Sequence, residues 1–248
     1  MCTFKPLLAN QIFIAATLVI FFSIPAIAQS QSADEPDLIN ADRPGIADGS
    51  TVVGTGTFQI ESGIQEEFRR SGNDREHTFF VPTLLRFGVD SRWEVRIEGN
   101  TFTRVTTIDS ANTHTSGFAP VSLGLKYHIY DSNSDHQFSL GTIVRVFPEW
   151  GSKEFRTQHT TGDIRLAADW DLSSKLSLNP NVGVGWYEDD QGREFTAGLF
   201  AMTLNYLPSK KLNPFVDLGV QSPEEKNGHT GAILDGGVAY IIGRNLQI

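Results

Sequence analysis

Six histidines, His77, His114, His128, His136, His159 and His229, are the residues best suited to acid–base or metal chemistry. Nucleophilic hydrolysis needs a serine or an acid held beside such an imidazole, with a third group to orient it. None of the six stands in a Gly-x-Ser-x-Gly or His-Glu-x-x-His context. They fall mostly in loops or at strand ends, where a solvated imidazole is the ordinary case. No set of His, Cys, Asp and Glu has the spacing of a metal site. Gly54-Thr-Gly56 lacks the third glycine and the following helix that would cradle a phosphate. The residues point away from an enzyme and imply no metal or other cofactor.

A second set of chemically capable residues is charged and placed at alternate positions. Arg86, Arg96, Lys126, Arg145 and Arg165 each sit between apolar neighbours, and Glu61, Glu98, Asp217 and Asp235 share their polar parity. Rows of charge facing a wet lumen set the field there and govern which ions pass. On successive strands, a mainly basic arc would face Glu61, Asp217 and Asp235, with Glu94, Glu98, Asp163 and Asp169 mixed into the basic side. Two readings stay open. One is a transverse field across a pore lined by these residues. The other is a salt-bridge network that crosslinks the wall, since charges in a narrow lumen need partners to offset desolvation.

The elements that would position these charges are strands. In Ala168–Trp186, Trp170 and then Leu176, Leu178, Val182, Val184 and Trp186 alternate with polar or small residues across the tight turn at Asp171–Lys175. The same alternation recurs from Phe58 to Phe68, Phe79 to Val89, Trp93 to Ile97, Val121 to Ile129, Phe138 to Val146 and Ile164 to Trp170. It returns in 196–206, 212–220 and 232–242. Each run is about ten residues, the length a tilted strand needs to cross hydrocarbon. Tight turns alternate with the longer polar loops 69–76, 103–117, 148–158, 188–194 and 222–228, as in outer-membrane barrels. Phe87, Trp93, Tyr127, Phe138, Trp170, Tyr206 and Tyr240 hold the apolar parity beside tight turns; Phe68, Phe79 and Trp186 hold it beside long loops. Two belts of amphipathic rings separated by Leu, Val and Ile suit the two membrane interfaces. The apolar face therefore reads as lipid-facing. A soluble barrel or sandwich would turn it inward. Pro82, Pro180 and Pro214 each remove a ladder donor, and mid-strand Pro82 calls for a bulge.

Residues 1–28 read as a secretory signal: Lys5, an apolar run from Ile12 to Phe22, and Ala26-Ile-Ala28 as the cleavage pattern. Loss of Lys5 takes the formal charge from −9 to −10, and Cys2 leaves with the leader, so no disulfide is available. An acidic exported chain is a poor nucleic-acid binder. Residues 29–54 read as a periplasmic segment with a mobile lead-in to Asn40. Within it, Asp42-Arg43-Pro44 folds into the lumen as a small plug or serves as a plain tether. Residues 55–248 form the barrel.

Ala41-Asp-Arg-Pro-Gly-Ile-Ala-Asp48 followed by Gly56-Thr-Phe-Gln-Ile-Glu-Ser-Gly63 resembles the opening of the transporter family named for the meta-cleavage pathway of phenol degradation. Val81–Gly88, Trp93–Arg96, Ser122–Tyr127, Gly162–Leu166 and Leu234–Tyr240 continue the resemblance over nearly all of the mature chain. It implies an all-β, antiparallel transmembrane β-barrel of the Gram-negative outer membrane, of about twelve strands. It also implies passage of aromatic or other hydrophobic small solutes, with no catalytic residue. The partners expected are the bilayer and an unidentified solute; oligomeric state is not legible. Alternatives are a closed structural or surface-binding barrel and, further off, an outer-membrane lipid hydrolase. Counting from Thr57 gives ten complete strands, with an eleventh opening at Leu246. An even strand count returns the C-terminus to the periplasm, so the chain reads as C-terminally incomplete. A seam is expected between 58–68 and 232–242.

Overall fold

The computed structural model describes residues 16–24 (backbone), 39–42, 45–71, 74–108, 112–118, 121–132, 137–242 and 246–248. The cleavage site at Ala28, the lead-in before Ile39, and Arg43 and Pro44 lie outside the described residues. The strands are β1 (Ala16–Ile24), β2 (Phe58–Ser71), β3 (Asp74–Gly88), β4 (Trp93–Ile108), β5 (Thr113–Gly117), β6 (Ser122–Asp131), β7 (Phe138–Phe147), β8 (Thr161–Ser173), β9 (Leu176–Glu188), β10 (Glu194–Tyr206), β11 (Leu212–Ser222), β12 (Gly231–Ile242) and β13 (Leu246–Gln247). They form one antiparallel sheet ordered along the chain, with β5 folded back onto β4. No helix occurs among the described residues. The sheet curls into a half-barrel, the architecture of a β-barrel.

Period-two alternation decides the faces. Leu166 and Val184 pair across β8 and β9 through Leu166↔Val182 and Ile164↔Val184, and they are 46% and 43% exposed on the outer face. Leu123 is exposed in the same way, and Leu218 is half-buried. The opposite parity is buried: Arg86, Arg96, Lys126, Glu61, Glu94, Asp163 and Asp217 are at most 2% exposed. Apolar residues lie outside and charges inside, the reverse of a water-soluble fold.

Pro82 has a definite solution. Between β3 and β4, Val81 pairs with Phe102 but Pro82 pairs with Asn100, so Thr101 is the extra residue of a bulge. The irregularity falls where the proline supplies no N–H. Pro180 and Pro214 pair in regular register.

Two expected loops are partly strand. β2 and β3 stay paired out to Ser71↔Asp74, and β5 extends the far end of β4. These extensions lack the greasy-outside pattern because backbone pairing continues wherever two strands remain adjacent, whether or not one face is apolar.

β2 and β12 share no ladder among the described residues. β13 pairs with β12 only at Ile241 and Ile242, with Tyr240 bonded to Ile248, and from Gly231 to Ala239 β12 pairs with β11 alone. On the other side, β1, which falls in the apolar run read as a secretory leader, pairs with β2 from Ala16↔Glu66 to Ile24↔Phe58 and runs beside β13. An edge strand is a row of unmet N–H and C=O groups, and an extended apolar segment satisfies it.

Candidate functional site

The interior is built by alternation on adjacent strands and then completed by a segment that belongs to none of them. Residues 45–57 enter β2 through a turn in which Gly54 and Gly56 have φ of 85° and 68°, conformations that favour glycine. This turn is the role of the glycine pair found in the sequence. The wall is shaved to receive the segment. A Cβ on Gly88 would lie 1.7 Å from the Gly54 carbonyl oxygen, and one on Gly141 would lie 2.4 Å from that of Ser50. Gly141→Ala is therefore expected to cost about 1–3 kcal/mol by overpacking. Gly198→Ala, whose nearest atom would be 3.8 Å away, is the control expected to show no loss. Urea unfolding of the refolded protein measures both.

The ion pairs are dense. Arg86 donates to Glu94 through Nε (2.8 Å) and Nη2 (2.9 Å), and to Glu61 through Nη1 (3.0 Å). Arg145 makes a fork onto Asp163 (3.1 and 2.7 Å) and reaches Glu98 at 2.8 Å. Arg165 reaches Asp163 at 3.2 Å, and the Tyr187 hydroxyl donates to the same oxygen. Arg96 donates to Asp42 at 2.6 Å and to Asp48 at 2.8 Å; Lys126 donates to Asp42 at 2.8 Å and to the Thr51 carbonyl at 3.1 Å. Basic residues of β3, β4, β6, β7 and β8 are thus paired with acids beside them or with the segment.

The far side holds the segment by neutral and acidic groups. The Asp48 N–H donates to Asn181 Oδ1 (2.9 Å), and Asn181 Nδ2 donates back to the Asp48 carbonyl (2.8 Å). Asp169 accepts from the Ser50 N–H (2.9 Å) and hydroxyl (2.7 Å). The Ile46 N–H donates to Asp217 at 3.2 Å, and Thr203 donates to the same carboxylate. A row of amides runs toward Asp169 across four strands: Asn213 donates to Asn205 (2.9 Å), Asn205 to Asn179, and Asn179 to Asp169.

Burial alone would push the Asp42 and Asp48 carboxyls up. The surrounding cations outweigh it, Arg86, Lys126 and Arg96 at Asp42 and Arg96 and Arg145 at Asp48, and hold both well below the usual range. Since the folded values are lowered, this stabilisation is complete above the ordinary carboxylate value of 3.8, falls progressively as pH drops below it, and is gone once pH has passed the lowered folded values.

Of the residues singled out in the sequence, Glu61, Arg86, Arg96, Glu98, Lys126, Arg145 and Asp217 are buried on the inner face. Arg165 is half-buried there. Asp235 is half-buried opposite Asp217, bonds the N–H of Gly236 at 2.6 Å, and joins no ion pair among the described residues. Phe87, Trp93, Trp170, Trp186, Tyr206 and Tyr240 are exposed on the outer face; Tyr127 and Phe138 are half-buried, Tyr127 against Trp93 at 4.5 Å. Asp48, Asn181 and the Asn179–Asn205–Asn213 row join the charged residues on the inner face. The asparagines carry the polar parity and were findable from it. Asp48 meets Arg96 only through the fold.

Among the described residues, cavities lie against the segment on two sides. One of about 370 Å³ on the tight-turn side is lined by Asp42, Gly45, Asn179, Asn205, Lys211 and Phe215. One of about 250 Å³ toward the long loops is lined by Ile46, Arg165, Asn181, Leu199, Gln221 and Ile233. No curated protein and no solved structure matches the chain. One family model does, over residues 41–248, beginning at the segment held in the interior and running through every strand from β2 to β13. The chain belongs to the family described as "Putative MetA-pathway of phenol degradation".

Proposed function

We propose that this protein is an outer-membrane β-barrel channel of a Gram-negative envelope, exported by its N-terminal leader, that passes small solutes past a plug to which residues 39–42 and 45–57 contribute. The observation that carries the reading is the inverted distribution of polarity. Leu123, Leu166 and Val184 stand on the outer surface while Arg96, Lys126 and Asp217 are buried within. A soluble monomer rarely exposes so continuous an apolar surface, whereas hydrocarbon is its natural solvent. Exposed rings at Trp93, Trp170, Tyr206 and Tyr240 beside the tight turns fit one interface of a bilayer. The cavities on either side of the segment fit a path that it interrupts. Family membership adds a link to phenol degradation, which favours aromatic or other hydrophobic small molecules as cargo. The reading is one of passage, without bond-making chemistry by the chain.

Planar-bilayer recording of the refolded full chain tests it. Wild type is expected to give small, infrequent conductance steps, and Asp42→Ala/Asp48→Ala larger and more frequent ones, because the cationic wall then loses its hold on the segment. Silence from both proteins would overturn the channel reading. It would favour the closed structural barrel, to which the dense pairing of Arg86, Arg96, Lys126 and Arg145 also lends itself.

A further inference from the structure

The geometry points to a carboxylate-binding site in the lumen, made by Arg96 and Lys126 with Arg86 behind them, which Asp42 occupies from within the same chain. A small monocarboxylate solute takes that site when the segment moves aside. The inference rests on the plugged-channel reading and names the solute's recognised group.

One oxygen, Asp42 Oδ2, is met by Arg96 Nη1 at 2.6 Å, Lys126 Nζ at 2.8 Å and Arg86 Nη2 at 3.6 Å. The three cations come from β4, β6 and β3, which are neighbours in the sheet, so the wall itself fixes their convergence. The acids of the wall are engaged elsewhere: Glu61 and Glu94 on Arg86, Glu98 and Asp163 on Arg145. Arg96 lies 3.8 Å from Glu94, and its short bonds go to Asp42 and Asp48. The hydrogen bonds of Lys126 go to Asp42 and to the Thr51 carbonyl. The close partners of both cations thus belong to the segment. If it withdraws, a guanidinium fork and an ammonium remain buried without short counter-charges, and an arriving anion relieves that state. A guanidinium fork beside an ammonium matches a carboxylate.

Space lies beside the site, against Asp42. The larger cavity is lined by Asp42 itself, by Phe215, Ala239 and Ile241, which give a solute body apolar wall, and by both Asp169 and Asp171 and Lys210 and Lys211. At about 370 Å³ the cavity has room for a molecule of benzoate's size.

Isothermal titration of the refolded full chain in detergent, with sodium benzoate against its neutral isostere benzamide, tests the site. In Asp42→Ala/Asp48→Ala, benzoate is expected to bind at least tenfold more tightly than benzamide and at least tenfold more tightly than to wild type, where it must displace the segment. Adding Lys126→Met is expected to abolish the preference. Equal binding of the two probes by the double variant, or no gain over wild type, would overturn the proposal. Should the double variant fail to fold, Asp42→Asn carries the same comparison with a smaller gain, and no gain there would overturn it as well. Binding in detergent is independent of conductance. Conductance without benzoate preference would sink the site and spare the channel; preference without conductance would do the reverse.

Discussion

Arg96→Ala is expected to lower the unfolding free energy of the refolded protein by about 3–5 kcal/mol, the usual loss when one partner of a buried charge network is removed. Arg96 is 1% exposed and holds Asp42 at 2.6 Å and Asp48 at 2.8 Å. Its removal leaves the Asp48 carboxylate without its ion-pair partner and Asp42 with Lys126 as its closest cation. The damage comes from stranded charge, so it should be reversible by removing that charge. Arg96→Met combined with Asp42→Asn and Asp48→Asn is expected to recover most of the loss, because a neutral interior of similar volume carries no comparable desolvation cost. Urea unfolding of vesicle-embedded protein measures both. A loss below about 1 kcal/mol for Arg96→Ala, the value of an exposed pair, would mean that water reaches the site freely.

Leu166→Arg is the corresponding test of the outer face. Leu166 sits midway along β8, between Thr142 of β7 and Val182 of β9, and is 46% exposed. In a bilayer an arginine at midplane depth on the lipid side costs about 2–4 kcal/mol, falling toward zero near the interfaces. On a water-exposed surface the same substitution would stay within about 0.5 kcal/mol. Unfolding from vesicles therefore separates the two environments by several-fold in the measured quantity. Leu123→Arg is expected to behave likewise, and a change at the exposed Trp170, beside a tight turn, to cost less because of its shallower depth. Small effects at both Leu166 and Leu123 would place this face in water.

Alternation and turn spacing are enough to lay out the wall. With a side-chain period of two, Leu125 and Lys126, or Leu166 and Arg165, must point to opposite faces once either is placed, and turn spacing set the strand order. Pro82 announced its own bulge because a residue without an N–H cannot close the ladder. What local pattern did not carry was how far the strands run beyond their alternating cores, as at Ser71 and Asp74, since backbone pairing there needs no apolar face. Nor did it say what fills the interior. Asp42 and Asp48 sit in a polar stretch with no periodicity, and as sequence they fit a tether as well as a plug. Their partners Arg96, Lys126 and Asn181, and the Asp217 that accepts from the Ile46 N–H between them, lie on strands far along the chain. Only curling the sheet around the segment brings these two carboxylates against Arg96 and Lys126. An unpaired charge in a narrow, desolvated lumen is costly enough that the arrangement is decided by which charges can reach each other in space, a property of the fold that no stretch of residues contains.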